Sequence, residues 1–107
     1  MRNLCFTVLF FFKIALSINP AFSESDGEEF LAIMENEETL EIARAHIDDV
    51  WKKWDGTLFC IGQMEEKSKS EIAMVAVKTY LESNKEEHFR PRRYLIIQGL
   101  RTAFLCD

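Results

Sequence analysis

Three cysteines and two histidines are the side chains here best suited to metal binding or nucleophilic attack. Their spacing gives neither chemistry a start. His46 lies two residues after Arg44 and three before Asp49, and His88 sits alone in a charged stretch. No His-Glu-x-x-His pair, paired-cysteine metal spacing or glycine-rich phosphate loop occurs. The carboxylates cluster at Glu28-Glu29, Glu35 to Glu38, Asp48-Asp49, Glu65-Glu66 and Glu86-Glu87. Scattered in this way they read as solvated faces; paired-carboxylate hydrolysis needs convergence in space that spacing does not supply. Arg90-Pro91-Arg92-Arg93 is the one concentrated basic patch, without the interleaved exposed aromatics that nucleic-acid binding uses. No catalytic residue, metal ligand or cofactor is assigned, and the chain is read as a non-enzyme.

The cysteines are explained by export. Met1-Arg2-Asn3 gives a short positive start, Leu4 to Phe12 is almost wholly apolar, and Ile14 to Ile18 continues it. Ala21-Phe22-Ser23 offers small residues where a signal peptidase reads. Residues 1–23 are therefore read as a cleaved signal peptide, despite Lys13 inside the apolar run. The rival membrane anchor has too short a run for the ~20 residues a spanning helix needs. Contact with membrane is expected only through this segment, before cleavage. Residues 24–107 form one domain near the small end of what folds alone. With Arg2 and Lys13 gone, 11 basic residues face 18 acidic ones, and the net charge moves from −5 to −7. That balance disfavours nucleic acid and anionic membrane, and suits a basic protein partner or plain solubility. Cys5 leaves with the signal. Cys60 and Cys106 remain, an even pair in an exported chain, and predict one disulfide. Two free thiols would need a reducing compartment. Closing that loop stabilises the fold by about 4 kcal/mol on the chain-entropy estimate.

The elements between are helical. Ser25 with Glu28, or Asp26 with Glu29, has capping-box spacing, followed by Phe30, Leu31, Ile33 and Met34 on one stripe. Asn36 is expected to cap a second helix. There Leu40, Ala43, Ile47, Val50, Trp51 and Trp54 recur at three- and four-residue steps, and Gly56 ends it. Thr57 to Gly62 is an extended or irregular linker pinned by Cys60, and Gln63 to Lys69 a polar loop. Ser68-x-x-Glu71 marks a third helix, with Ile72, Val75, Ala76, Tyr80 and Leu81 as its buried face and Ala73 and Val77 beside it. Ser83-Asn84 stops that helix, and Lys85 to Arg90 is a charged turn. Pro91 opens a fourth helix, apolar over a wide arc from Tyr94 to Phe104, in which Gly99 implies close helix packing. The fold class expected is all-α, a small four-helix domain closed by one disulfide.

The order of these features resembles a known family. Phe59-Cys60-Ile61, a helix ending Lys78-Thr79-Tyr80-Leu81-Glu82, then Pro91, then Ala103-Phe104-Leu105-Cys106 are similar to the Rap/Tai proteins. These are small, exported, helical immunity proteins of bacterial type VI secretion. The likeness covers the last half well, and Glu28 to Val50 more loosely. A second cysteine pair that often joins the first two helices is replaced here by Met34 and Ala43, so the first helix is expected to be more loosely held. Gly62 stands where a proline often follows the middle cysteine. The resemblance implies a periplasmic inhibitor of a peptidoglycan amidase toxin, with a possible homodimer. An inhibitor must present side chains that its core does not need. That selects Asp48, Asp49 and Lys52 on the polar face of the second helix, and Gln63, Glu65, Glu66 and Lys67 after Cys60, as the partner-binding candidates. The alternative function is a periplasmic acid-stress chaperone or general protein-binding module, for which the many carboxylates suffice.

Overall fold

A computed structural model describes residues 26–107. The signal-peptide reading of residues 1–23 lies outside that range. Among the described residues there are four helices: α1 Asp26–Glu35, α2 Leu40–Trp54, α3 Glu66–Ser83 and α4 Arg92–Ala103. A single 3-10 turn, Lys85–Glu87, sits between α3 and α4. The described residues hold no β-strand, only one isolated bridge between Asp55 and Phe59. Cys60 and Cys106 are joined by a disulfide. The class is therefore all-α, closed by one disulfide.

The periodicity of α2 explains its burial. Ala43, Ile47, Val50 and Trp51 fall on one side at helical spacing, and all four are buried. They meet Phe30 and Met34 of α1, Phe59 and Ile61 of the linker, and Leu95, Ile96 and Leu100 of α4 in a single core. Met34 and Ala43, which stand where the Rap/Tai pattern often has a second cysteine pair, are both core residues. In place of a covalent tie, α1 is held by hydrogen bonds. The Gly27 N–H donates to the His88 carbonyl at 2.8 Å. Asp26 does not cap its own helix; its Oδ2 accepts the Arg92 N–H at 2.8 Å, at the start of α4.

Three local expectations need correction. Asn36 does cap, its Oδ1 accepting the Glu38 N–H, but regular helix begins only at Leu40, after a turn. The polar loop after Gly62 is shorter than expected. α3 starts at Glu66 with Glu65 as its cap residue, so Ser68 lies inside the helix and caps nothing. The buried face of α3 is also rotated. Ser70, Ala73, Met74, Val77 and Leu81 point inward, while Val75 is 64% exposed and Ile72, Ala76 and Tyr80 are half-buried. The physical reason is α4. Gly99 brings the two backbones together, so that a Cβ on Gly99 would stand 3.1 Å from the Val77 Cα and 3.2 Å from the Tyr80 Cβ. That contact line sets the phase of α3. On α4, Leu95, Ile96, Gly99 and Leu100 are buried, whereas Ala103 is exposed.

Candidate functional site

The linker between α2 and α3 is built around Asp55. Gly56 and Gly62, at φ +92° and +107°, take the left-handed conformations that other residues avoid, and they bracket a tight turn carrying Phe59, Cys60 and Ile61. Asp55 Oδ1 accepts the Ile61 N–H at 2.9 Å, and Oδ2 accepts from Lys69 Nζ at 2.9 Å. Burial opposes ionisation of this carboxyl. The Ile61 N–H, the Lys69 ammonium and the Gly56 N–H outweigh it and hold the pKa below the usual carboxylate value. Phe59 is fully buried. The Cys60 N–H donates to the Phe104 carbonyl at 2.8 Å, so one hydrogen bond and one disulfide fasten the end of α4 to this turn. Sequence reading selected Cys60 and passed over Asp55. The Asp-Gly step at the end of the second helix was the available signal.

Two grooves run along α3, on opposite sides. The first, facing α2, is polar and holds four of the seven expected partner-binding residues: Asp48, Lys52, Glu66 and Lys67. Its groups are engaged with one another. Asp48 Oδ1 accepts from Trp51 Nε1 at 2.8 Å and from the Ser70 hydroxyl at 2.7 Å. Ser70 in turn accepts from Arg44 Nη1 at 3.1 Å. Arg44 also pairs with Glu41 at 3.1 Å and Glu71 at 3.3 Å. The hydrogen bond that Arg44 donates to Glu41 raises the Arg44 pKa, burial works against this, and the charge of Glu71 adds to the rise. Lys52 meets Glu66 at 3.1 Å. Ser70 donates to one charged neighbour and accepts from another, so the row Arg44–Ser70–Asp48 ties α2 to α3 rather than activating a nucleophile.

The other expected residues are placed apart. Gln63 and Glu65 are exposed in the short connection before α3. Asp49 faces away from the polar groove, towards His46 and α4. Glu66 and Lys67 belong to the first turn of α3 rather than to a loop. Of the basic patch, Arg90 pairs with Glu87 at 3.4 Å and Arg92 with Asp26 at 3.3 Å.

The second groove, between α3 and α4, is apolar. Ile72, Val75, Ala76, Tyr80, Ala103 and Phe104 are among its lining residues, and its volume is about 510 Å³. Gly99 lies at its base, because the helices approach most closely there. Tyr80 lines the groove; burial, reinforced by the nearby Glu87, raises its pKa and keeps the phenol protonated. Phe104 lines it too and is held by the disulfide-linked turn. Sequence reading missed this groove because it assigned Ile72, Val75 and Ala76 to the core.

Among the described residues no group of three His, Cys, Asp or Glu side chains is placed to hold a metal ion. No helix of those residues is long and apolar enough to cross a membrane. Comparison with protein-family models, with curated proteins and with solved structures finds no match.

Proposed function

We propose that this chain acts by binding another protein, as an exported immunity protein of the Rap/Tai kind that inhibits a peptidoglycan amidase effector in the periplasm. One observation carries the reading: the α3–α4 groove is open and apolar, with its walls fixed by Gly99 on one side and the Cys60–Cys106 tie on the other. A rigid apolar groove of this kind takes an aliphatic or aromatic anchor from a partner at low ordering cost. The similarity of the segments from Phe59 to Cys106 to the Rap/Tai pattern supports the choice of partner class. Acidic side chains at Glu65 and Glu66, at the start of α3 and outside this groove, favour encounter with a basic surface. The test is co-expression with the cell-wall hydrolases encoded nearest to its gene. The expected result is rescue of growth and a complex that survives gel filtration, both lost in Val75→Arg. Failure of every neighbouring hydrolase to be neutralised would remove this reading.

A second reading, an acid-stress chaperone, draws on Asp55. Protonating that carboxyl releases Ile61 and Lys69 and loosens the turn that holds Phe104 against the groove. Dye-detected apolar exposure that rises only below about pH 4, together with suppressed aggregation of an unrelated protein, would favour it over inhibition.

A further inference from the structure

On the side of α2 away from α3 lies a cleft of about 280 Å³ between α2 and α4, lined by His46, Asp49, Val50, Arg92, Arg93 and Ile96. Val50 and Ile96 are core residues and give it an apolar floor. The polar groups above that floor differ from those of the α2–α3 groove in having few partners. Neither His46, Asp49 nor Arg93 takes part in an ion pair among the described residues, unlike Arg44, Lys52 and Glu66. Arg92 is held in place rather than neutralised by contact on all sides. Its main-chain N–H and its Nη2 both meet Asp26, at 2.8 and 3.3 Å, and its guanidinium lies 4.8 Å over the Phe30 ring. Its Nε–H is buried without an acceptor. The same Phe30 ring and the His46 ring pack at right angles, with the centroids 6.1 Å apart and the planes at 89°. One fully buried phenylalanine thus orients both the imidazole and the guanidinium.

We propose that this cleft binds a carboxylate carried on a short aliphatic stem next to an N–H group, the chemistry of a peptide's C-terminal end. Arg93 and His46 supply donors to the carboxylate, and Arg92, already immobilised, adds fixed positive charge. Val50 and Ile96 take the aliphatic stem. Asp49, on the same rim, accepts the N–H that a terminal peptide group presents beside its carboxylate. Asp26 sets the limit on affinity, because it offsets the charge of Arg92. The site is separate from the α3–α4 groove, so its success or failure leaves the immunity reading standing.

The experiment is a nuclear magnetic resonance titration of the oxidised, processed protein. It follows the arginine Nε–Hε signals and the His46 ring. Three probes are used: acetyl-Gly-Ala-Leu with a free carboxylate, the same peptide amidated, and acetyl-Gly-Glu-Gly-amide with an internal acid. The expected result is saturable shifts at Arg93 and His46 with the free-carboxylate peptide, and at least tenfold weaker binding of the amidated one. Arg93→Gln, an exposed position where folding is unaffected, reduces affinity at least fivefold. Asp49→Asn weakens the terminal peptide, whereas it would strengthen binding if Asp49 only repelled the anion. Equal binding of the internal-acid peptide would overturn recognition of a chain terminus. Shifts that grow linearly without saturation, equal affinity for the amidated peptide, or wild-type affinity in Arg93→Gln would each overturn the proposal.

Discussion

The two grooves along α3 differ in what they leave free. The α2–α3 groove is dense in charge, yet Asp48, Ser70, Arg44, Lys52 and Glu66 are each bonded to a neighbour within it. No acidic or basic side chain lines the α3–α4 groove among the described residues, and its aliphatic and aromatic walls stand open there. Charge density alone therefore misleads as a guide to an available surface. A paired carboxylate must give up its present partner before it meets a new one, while an open apolar wall loses only water. The polar groove is bonded within the fold, and the apolar groove is the surface on which the proposed binding rests.

The contrast can be broken most strongly at the disulfide, because Cys106 fastens the chain just after Phe104, which lines the apolar groove. Replacing Cys60 and Cys106 together by alanine should lower stability by up to about 4 kcal/mol in chemical denaturation, for a bond that closes 46 residues of separation. It should also weaken partner binding while the Lys52–Glu66 and Asp48–Ser70 contacts persist. A variant that loses stability but binds at wild-type strength would detach the groove from the clamp.

Next in size is the close approach at Gly99. Gly99→Val places methyl groups against the Val77 backbone and should destabilise by about 2 kcal/mol, read as a lowered melting temperature. An alanine there asks for only a few tenths of an ångström of movement and should cost less. A neutral valine would mean that α3 and α4 slide freely, and that the groove has no fixed floor.

Asp55 sharpens the comparison through pH. Its carboxyl pKa is held below the unfolded value, so its contribution is complete above about pH 4. It is lost as the pH falls through the depressed folded-state value. Asp55→Asn should cost about 1–3 kcal/mol at neutral pH, since Lys69 loses its counter-charge. It should also flatten the acid limb of the stability profile. An unchanged acid limb would assign that limb to other carboxylates.

The smallest effects on stability test the surface itself. Val75→Arg, at a 64% exposed position, should change stability by no more than about 0.5 kcal/mol yet abolish complex formation. Glu65→Lys with Glu66→Lys should alter stability equally little, removing one exposed ion pair with Lys52. It should slow association at low salt and leave dissociation unchanged. The reverse outcome, with Val75→Arg silent and the double reversal disabling, would move the contact to the connection before α3.

Much of the fold was legible because it rests on local periodicity. In α2 the apolar residues recur on one side, with Ile42 the exposed exception, so Ala43, Ile47, Val50 and Trp51 identified both the helix and its buried face. Pro91 before α4, the stop at Ser83-Asn84 and the Cys60–Cys106 pairing likewise follow from residue type, and the structure carries all three. The helix of α3 was readable but its orientation was not. Ile72, Val75 and Ala76 form one apolar strip, and Ala73, Met74, Val77 and Leu81 form another beside it. Either strip satisfies helical spacing, so local pattern leaves the rotation about the axis undetermined. Asp26 and Asp48 show the same limit for polar groups. Asp26 reads as a helix cap and Asp48 as part of a solvated acidic face, yet each finds a partner across the fold, 66 and 22 residues away.

What the sequence determined by itself, then, is a short all-helical chain with two cysteines to join and one helix of unambiguous phase. Tertiary structure alone decided which strip of α3 faces the core, since that choice depends on how closely Gly99 lets α4 approach Val77. It also decided which charges are free, because an ion pair between distant residues has no signature in local spacing.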